Sequence, residues 1–114
     1  MIKSNASFDV KKENGVLEFK LHGEIDHHNA VKIRTEIDSL IYEENPDKTV
    51  LDLSEIDFMD SSGLGLIMGR FSLMQKLGGT LTLRSPNPRI VQIFELAGLE
   101  RMVKIEKDKE ESDK

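Results

Sequence analysis

Asp60-Ser61-Ser62-Gly63-Leu64-Gly65 sets two hydroxyls between a carboxylate and a pair of glycines. A serine in such a place can be a nucleophile, a phosphoryl acceptor, a helix cap or a contact for another protein. The hydrolase elbow Gly-x-Ser-x-Gly is absent. His22, His27 and His28 are the available bases, and the sequence places them in one loop region near the end of a neighbouring strand. A triad also needs an acid that orients the base, so hydrolysis is not supported. His27 and His28 are adjacent, their side chains are expected to diverge from a helix start, and there is no Cys or spaced third ligand; this is a weak metal site. Gly63, Gly65 and Gly69 miss the Gly-x-Gly-x-x-Gly spacing by one residue, and no Gly-Lys-Ser/Thr loop is present. The reading is no catalytic residue, no metal and no cofactor.

The chain order gives the turn its setting. Thr49–Leu53 reads as a buried strand, Ser54–Asp60 as a loop, and Leu64–Leu77 as a helix with Leu64, Ile67, Met68, Phe71 and Met74 along one side. Met68 and Met74 read as core, Met59 as core or soft contact, and Arg70 as facing solvent or a partner. The turn thus lies at a strand's carboxyl end, where open α/β sheets meet their ligands. It also lies at a helix N-terminus, where free N–H groups and the helix dipole favour negative charge. A phosphate on Ser61 or Ser62 would add about −1.5 to −2 charges there. Asp and Ser are equally the preferred N-cap residues, and Gly63 can simply ease packing. Residue chemistry alone leaves cap and contact level.

The other elements follow the same alternation. Phe8–Lys12 and Val16–Leu21 flank Asn14-Gly15, a hairpin signal. His22-Gly23-Glu24-Ile25 leads out of the second strand, and Asp26 is the expected N-cap of a helix over His28–Tyr42. Asn45-Pro46-Asp47 ends that helix. Gly78-Gly79 ends the next, and Thr80–Leu83 is a short strand. Pro88 opens a third helix closed by Gly98, and Met102–Ile105 is a last edge strand. Strands separated by helices imply right-handed crossovers. The expected fold is one α/β domain over 1–106. It has a mixed central sheet, an antiparallel edge hairpin and three to four helices, and a charged tail follows over 107–114.

Composition narrows the function. The 114 residues are 38% hydrophobic and 32% charged, which suits a single globular domain. The absence of Cys removes thiolate chemistry and disulfides. A net charge of −5 is a poor match to nucleic acid. No secretory pattern occupies Met1–Asp9 and no apolar run reaches membrane-spanning length, so a soluble cytoplasmic protein is expected.

Two segments carry a family resemblance. Phe58-Met59-Asp60-Ser61-Ser62-Gly63-Leu64-Gly65-Leu66-Ile67-Met68-Gly69-Arg70 resembles the signature of the STAS domain of bacterial anti-sigma factor antagonists. Gly23-Glu24-Ile25-Asp26-His27-His28 resembles that family's second signature. Together they are most similar to the sporulation members of the SpoIIAA type. The resemblance covers about Phe8 to Ile105, with Ile25 for a common Leu and Asn29 for a common Thr. It implies a phosphoprotein that acts in transcription regulation without touching DNA. The unphosphorylated form binds an anti-sigma factor that is also an ATP-using serine kinase, and so frees the sigma factor. The kinase phosphorylates the serine after the motif Asp, and a PP2C-type phosphatase reverses it. Carried over, the acceptor is Ser61, and the partner surface comprises Gly23, Glu24, Asp26, His27, Asp60, Ser61, Ser62, Gly63 and Leu64. The alternative is a STAS interaction module of another sensory or transport complex.

Overall fold

Asn14 and Gly15 both adopt positive φ, 52° and 80°, which turns the chain back in a two-residue hairpin. Strands β1 (Ala6–Glu13) and β2 (Val16–Ile25) pair antiparallel across it, from Glu13–Val16 outward. The computed structural model describes residues 6–107. The expected charged tail lies outside the described residues from 108 onward, as do residues 1–5 of the N-terminal segment.

The remaining order is α1 (Ala30–Glu44), β3 (Lys48–Met59), α2 (Ser61–Lys76), β4 (Thr80–Arg84), α3 (Pro88–Leu96), a 3₁₀ turn (Leu99–Arg101) and β5 (Lys104–Glu106). The five-stranded sheet runs β1-β2-β3-β4-β5, parallel from β2 onward. Each parallel step moves to the next strand in the same direction. Right-handed crossovers then put all three helices on one face of the sheet. The core agrees. Leu17, Phe19 and Leu21 of β2, Leu51 and Leu53 of β3, and Leu81 and Leu83 of β4 form one cluster with Ile33, Ile37 and Ile41 of α1, Ile67 and Met74 of α2, and Ile90 and Phe94 of α3. Each such isoleucine contributes about 1.5–3 kcal/mol on burial. Val50, from the alternate face, is fully buried yet outside this cluster. Around it the uncovered face is polar: Arg84 pairs with Glu18 at 2.8 Å and Glu106 at 3.1 Å. Burial lowers the Arg84 pKa, but the hydrogen bonds it donates to the Glu106 and Glu18 carboxylates, with their negative charge, outweigh this and raise it.

Several expectations need correction. Strand β3 does not stop at Leu53 and β2 does not stop at Leu21. They stay paired to Ile25–Met59, with irregular steps between Lys20 and His22 and between Gly23 and Glu24. These bulges admit two extra residues on β3, and the Asp52 carboxylate accepts the Ser54 N–H at 2.9 Å. The polar run Ser54–Asp57 is therefore bulged strand rather than loop. Helix α2 begins at Ser61, three residues earlier than expected, and its fully buried positions are Gly63, Leu66, Ile67, Arg70 and Met74. Leu64, Met68 and Phe71 only flank the core. Arg70 does not face solvent: its side chain is 7% exposed and its Nε lies 2.8 Å from Asp38 Oδ1 on α1. The last strand starts at Lys104, because Met102 caps the 3₁₀ turn and is half exposed.

Candidate functional site

Asp60 leaves β3 extended and caps α2: its Oδ1 accepts the Ser62 N–H at 2.8 Å and its carbonyl accepts the Gly63 N–H at 2.9 Å. The cap reading of this residue is thus correct. It leaves Ser61, the first helical residue, exposed, while Ser62 is half-buried. The two serines that sequence chemistry treats alike therefore differ in access.

Asp60 also joins the two motifs. Its own N–H donates to the Ile25 carbonyl at 3.1 Å, because β2 and β3 are adjacent, parallel and kept in step by the bulges. Just past Ile25, Asp26 and Asn29 bond reciprocally. Asp26 Oδ1 accepts the Asn29 N–H at 3.2 Å and Asn29 Oδ1 accepts the Asp26 N–H at 3.0 Å. This is a capping box with Asn in the third position. It holds a single turn before α1, which itself starts at Ala30 rather than His28 and has Asn29, not the expected Asp26, as its N-cap. The Asn29 amide also donates to the Glu24 carbonyl at 2.9 Å. Asn29 belongs to the site's support, and its spacing from Asp26 was the available signal.

The expected surface residues gather at this edge of the sheet. Glu24, His27 and Ser61 are exposed; Gly23, Asp26, Asp60, Ser62 and Leu64 are half-buried. Gly63 is buried and turned inward: a Cβ on it would lie 2.5 Å from the Met59 sulfur and 2.7 Å from Met59 Cγ. Phe58, 47% exposed and paired with Glu24 across the sheet, adds an aromatic ring to the same edge. One hollow beside the turn is lined by Met59, Ser61, Leu64, Ile90 and Ile93. Another, between α1 and α2, is lined by His27, Val31, Arg34, Ser62 and Gly65.

Among the described residues no hydrogen bond joins a histidine to Ser61 or Ser62, although His27 and Ser62 line the same hollow. His22 is not in the loop but in β2, 2.9 Å from Asp9 of β1. His27 and His28 do not diverge; their rings sit 4.0 Å apart, tilted by 37°. Among the described residues no three His, Asp or Glu side chains come together as metal ligands. The same residues include no helix long and apolar enough to cross a membrane. The arrangement offers an exposed hydroxyl on a rigid, hydrogen-bonded shelf, suited to contact and modification.

Comparison with known proteins bears on this site. A family model, the STAS domain, matches residues 7–112. The anti-sigma F factor antagonist of Paenibacillus polymyxa is 35% identical over 101 residues, covering 89% of this chain and 86% of that protein. The anti-sigma-B factor antagonist of Bacillus subtilis is 32% identical over 101 residues, covering 89% of this chain and 91% of its own. Among solved structures, the anti-sigma factor antagonist SpoIIAA in its unphosphorylated form superposes with a TM-score of 0.76 at 28% identity, covering 94% of each chain. Sheet order, paired motifs and near-complete coverage agree, and the chain belongs to the STAS domain family.

Proposed function

We propose that this protein is an anti-sigma factor antagonist, a regulatory binding protein rather than an enzyme, switched by phosphorylation of Ser61. In this reading the unmodified form binds an anti-sigma factor that is also a serine kinase, and the sigma factor is released. The contact surface is the shelf made by Gly23, Glu24, Asp26, His27 and the first turn of α2. The observation that carries the reading is the exposure of Ser61 directly after the capping Asp60, which is bonded to the second motif at Ile25. The names of the two bacterial relatives and of SpoIIAA support it.

The chemistry belongs to the partner. The Ser61 Oγ attacks the γ-phosphorus of the kinase's ATP; the bond to the ADP oxygen breaks, and the hydroxyl proton passes to a kinase base. A PP2C-type phosphatase hydrolyses the phosphoester with water, releasing inorganic phosphate and restoring the hydroxyl. The phosphate brings about −1.5 to −2 charges. Two N–H groups of the first turn are already engaged by Asp60, and its carboxylate sits beside the new charge. The helix end therefore offers the phosphate little shelter, and it projects toward the partner. Incubation with the source organism's anti-sigma kinase and ATP, read by peptide mass spectrometry, should place one phosphate on Ser61. Modification elsewhere with Ser61 untouched refutes the assignment.

A further inference from the structure

The hollow between α1 and α2 holds a positive charge that the fold does not use. Arg34 lines it and is exposed. Its natural partner on the same helix face is Asp38, four residues on. Asp38 is taken by the buried Arg70, whose Nε is 2.8 Å away. Asp38 thus serves Arg70 alone, and Arg34 has no ion pair among the described residues. This occurs in a chain of net charge −5.

The shape of the hollow points outward as well. Gly65 is exposed, and a Cβ built on it meets nothing within 4 Å. Packing within the domain therefore gives no reason for a glycine that weakens α2 by up to about 1 kcal/mol relative to Ala. An outside backbone or side chain approaching closely does. Val31, 56% exposed on the opposite wall, supplies an apolar contact.

We propose that this cleft is a carboxylate-receiving subsite, in which Arg34 pairs with an acidic side chain of the anti-sigma factor while the neighbouring chain packs over Gly65 and Val31. The proposal rests on the antagonist reading above. Guanidinium and carboxylate match as a bidentate pair, and Val31 and Ala30 line the same hollow.

The test is binding of the full chain to the purified anti-sigma factor of the source organism, by calorimetry at two salt concentrations. Circular dichroism verifies the fold of each variant. Arg34→Gln should weaken binding about tenfold and Arg34→Glu about a hundredfold, with a flatter salt dependence. Lys32→Glu, an exposed position on the same helix outside the cleft, makes the same charge change as Arg34→Glu and should shift affinity by less than about threefold. If Ser61→Asp weakens the complex but Arg34→Glu stays within twofold of wild type, the subsite is wrong and the antagonist reading stands. Equal losses in Lys32→Glu and Arg34→Glu also overturn the subsite, since only overall charge would be at work. Failure of the folded wild type to bind overturns the antagonist reading and the subsite together.

Discussion

Gly63 and Gly65 lie two residues apart on α2 and answer to different neighbours. At Gly63 an added methyl collides with the Met59 side chain as far back as its Cβ, 3.0 Å away. Gly63→Ala should destabilise the domain by about 1–3 kcal/mol through overpacking, less the helix propensity it gains. At Gly65 the methyl meets nothing, so Gly65→Ala should stabilise by about 0.5–1 kcal/mol and yet weaken anti-sigma factor binding. Urea unfolding of both variants, paired with a binding titration of the second, checks the contrast. A stable Gly63→Ala, or a Gly65→Ala that binds as wild type, would contradict it. The cap at Asp60 was legible in the sequence because cap signals are local. The difference in access between Ser61 and Ser62 was not, since it depends on α1 packing beside the turn. Arg70 was missed for a related reason. Its spacing of four from both Leu66 and Met74 marks the buried stripe, but an arginine is accepted there only because Asp38 arrives from another helix.

That pair sets the energetics of the two helices that carry the motifs. Asp38 and Arg70 each lie roughly two and a half turns into their helices. Their ion pair resists sliding of α1 along α2. Arg70 Nε and Nη1 and Asp38 Oδ1 are buried, and the 2.8 Å approach of Nε to Oδ1 is an ion pair without hydrogen-bond alignment. Asp38→Asn strands a buried charge and should cost about 2–3 kcal/mol, less than a fully buried pair because the Asp38 side chain is 28% exposed. Arg70→Met removes the charge and leaves Asp38 able to hydrate, so it should cost less. The reverse order in denaturant unfolding would refute this. Burial holds the Arg70 pKa below its ordinary value, with Asp38 opposing and Arg34 adding to the drop. A base whose folded pKa is depressed penalises the fold while protonated, and stability rises with pH only as it deprotonates. The penalty is therefore present in full near neutrality and relieved only in strongly alkaline solution. The difference in thermal midpoint between Arg70→Met and wild type should be the same at about pH 6 and pH 9. The long β2–β3 ladder was hidden from the sequence by Ser54–Asp57, whose polarity reads as loop until the partner strand is seen.

At the scale of the whole molecule, one monotonic sheet order explains why the site lies where it does. All three helices share a face, and the opposite face is held by half-buried charges such as Glu18–Arg84–Glu106, each pair worth on the order of 1 kcal/mol. The parallel strands β2 and β3 end side by side, so motifs more than thirty residues apart in the chain meet through the Asp60–Ile25 hydrogen bond. The alternation of strand and helix made this architecture readable, whereas the pairing that brings the motifs together is non-local. The central claim is that charge on Ser61 decides whether this edge accepts an anti-sigma factor. The most direct measurement is the affinity of the purified source-organism anti-sigma factor for the unmodified protein, for Ser61→Ala, and for protein phosphorylated stoichiometrically on Ser61. The account predicts binding by the first two and an affinity for the third lower by about a hundredfold or more. Equal affinity for the phosphorylated and unmodified forms would contradict it.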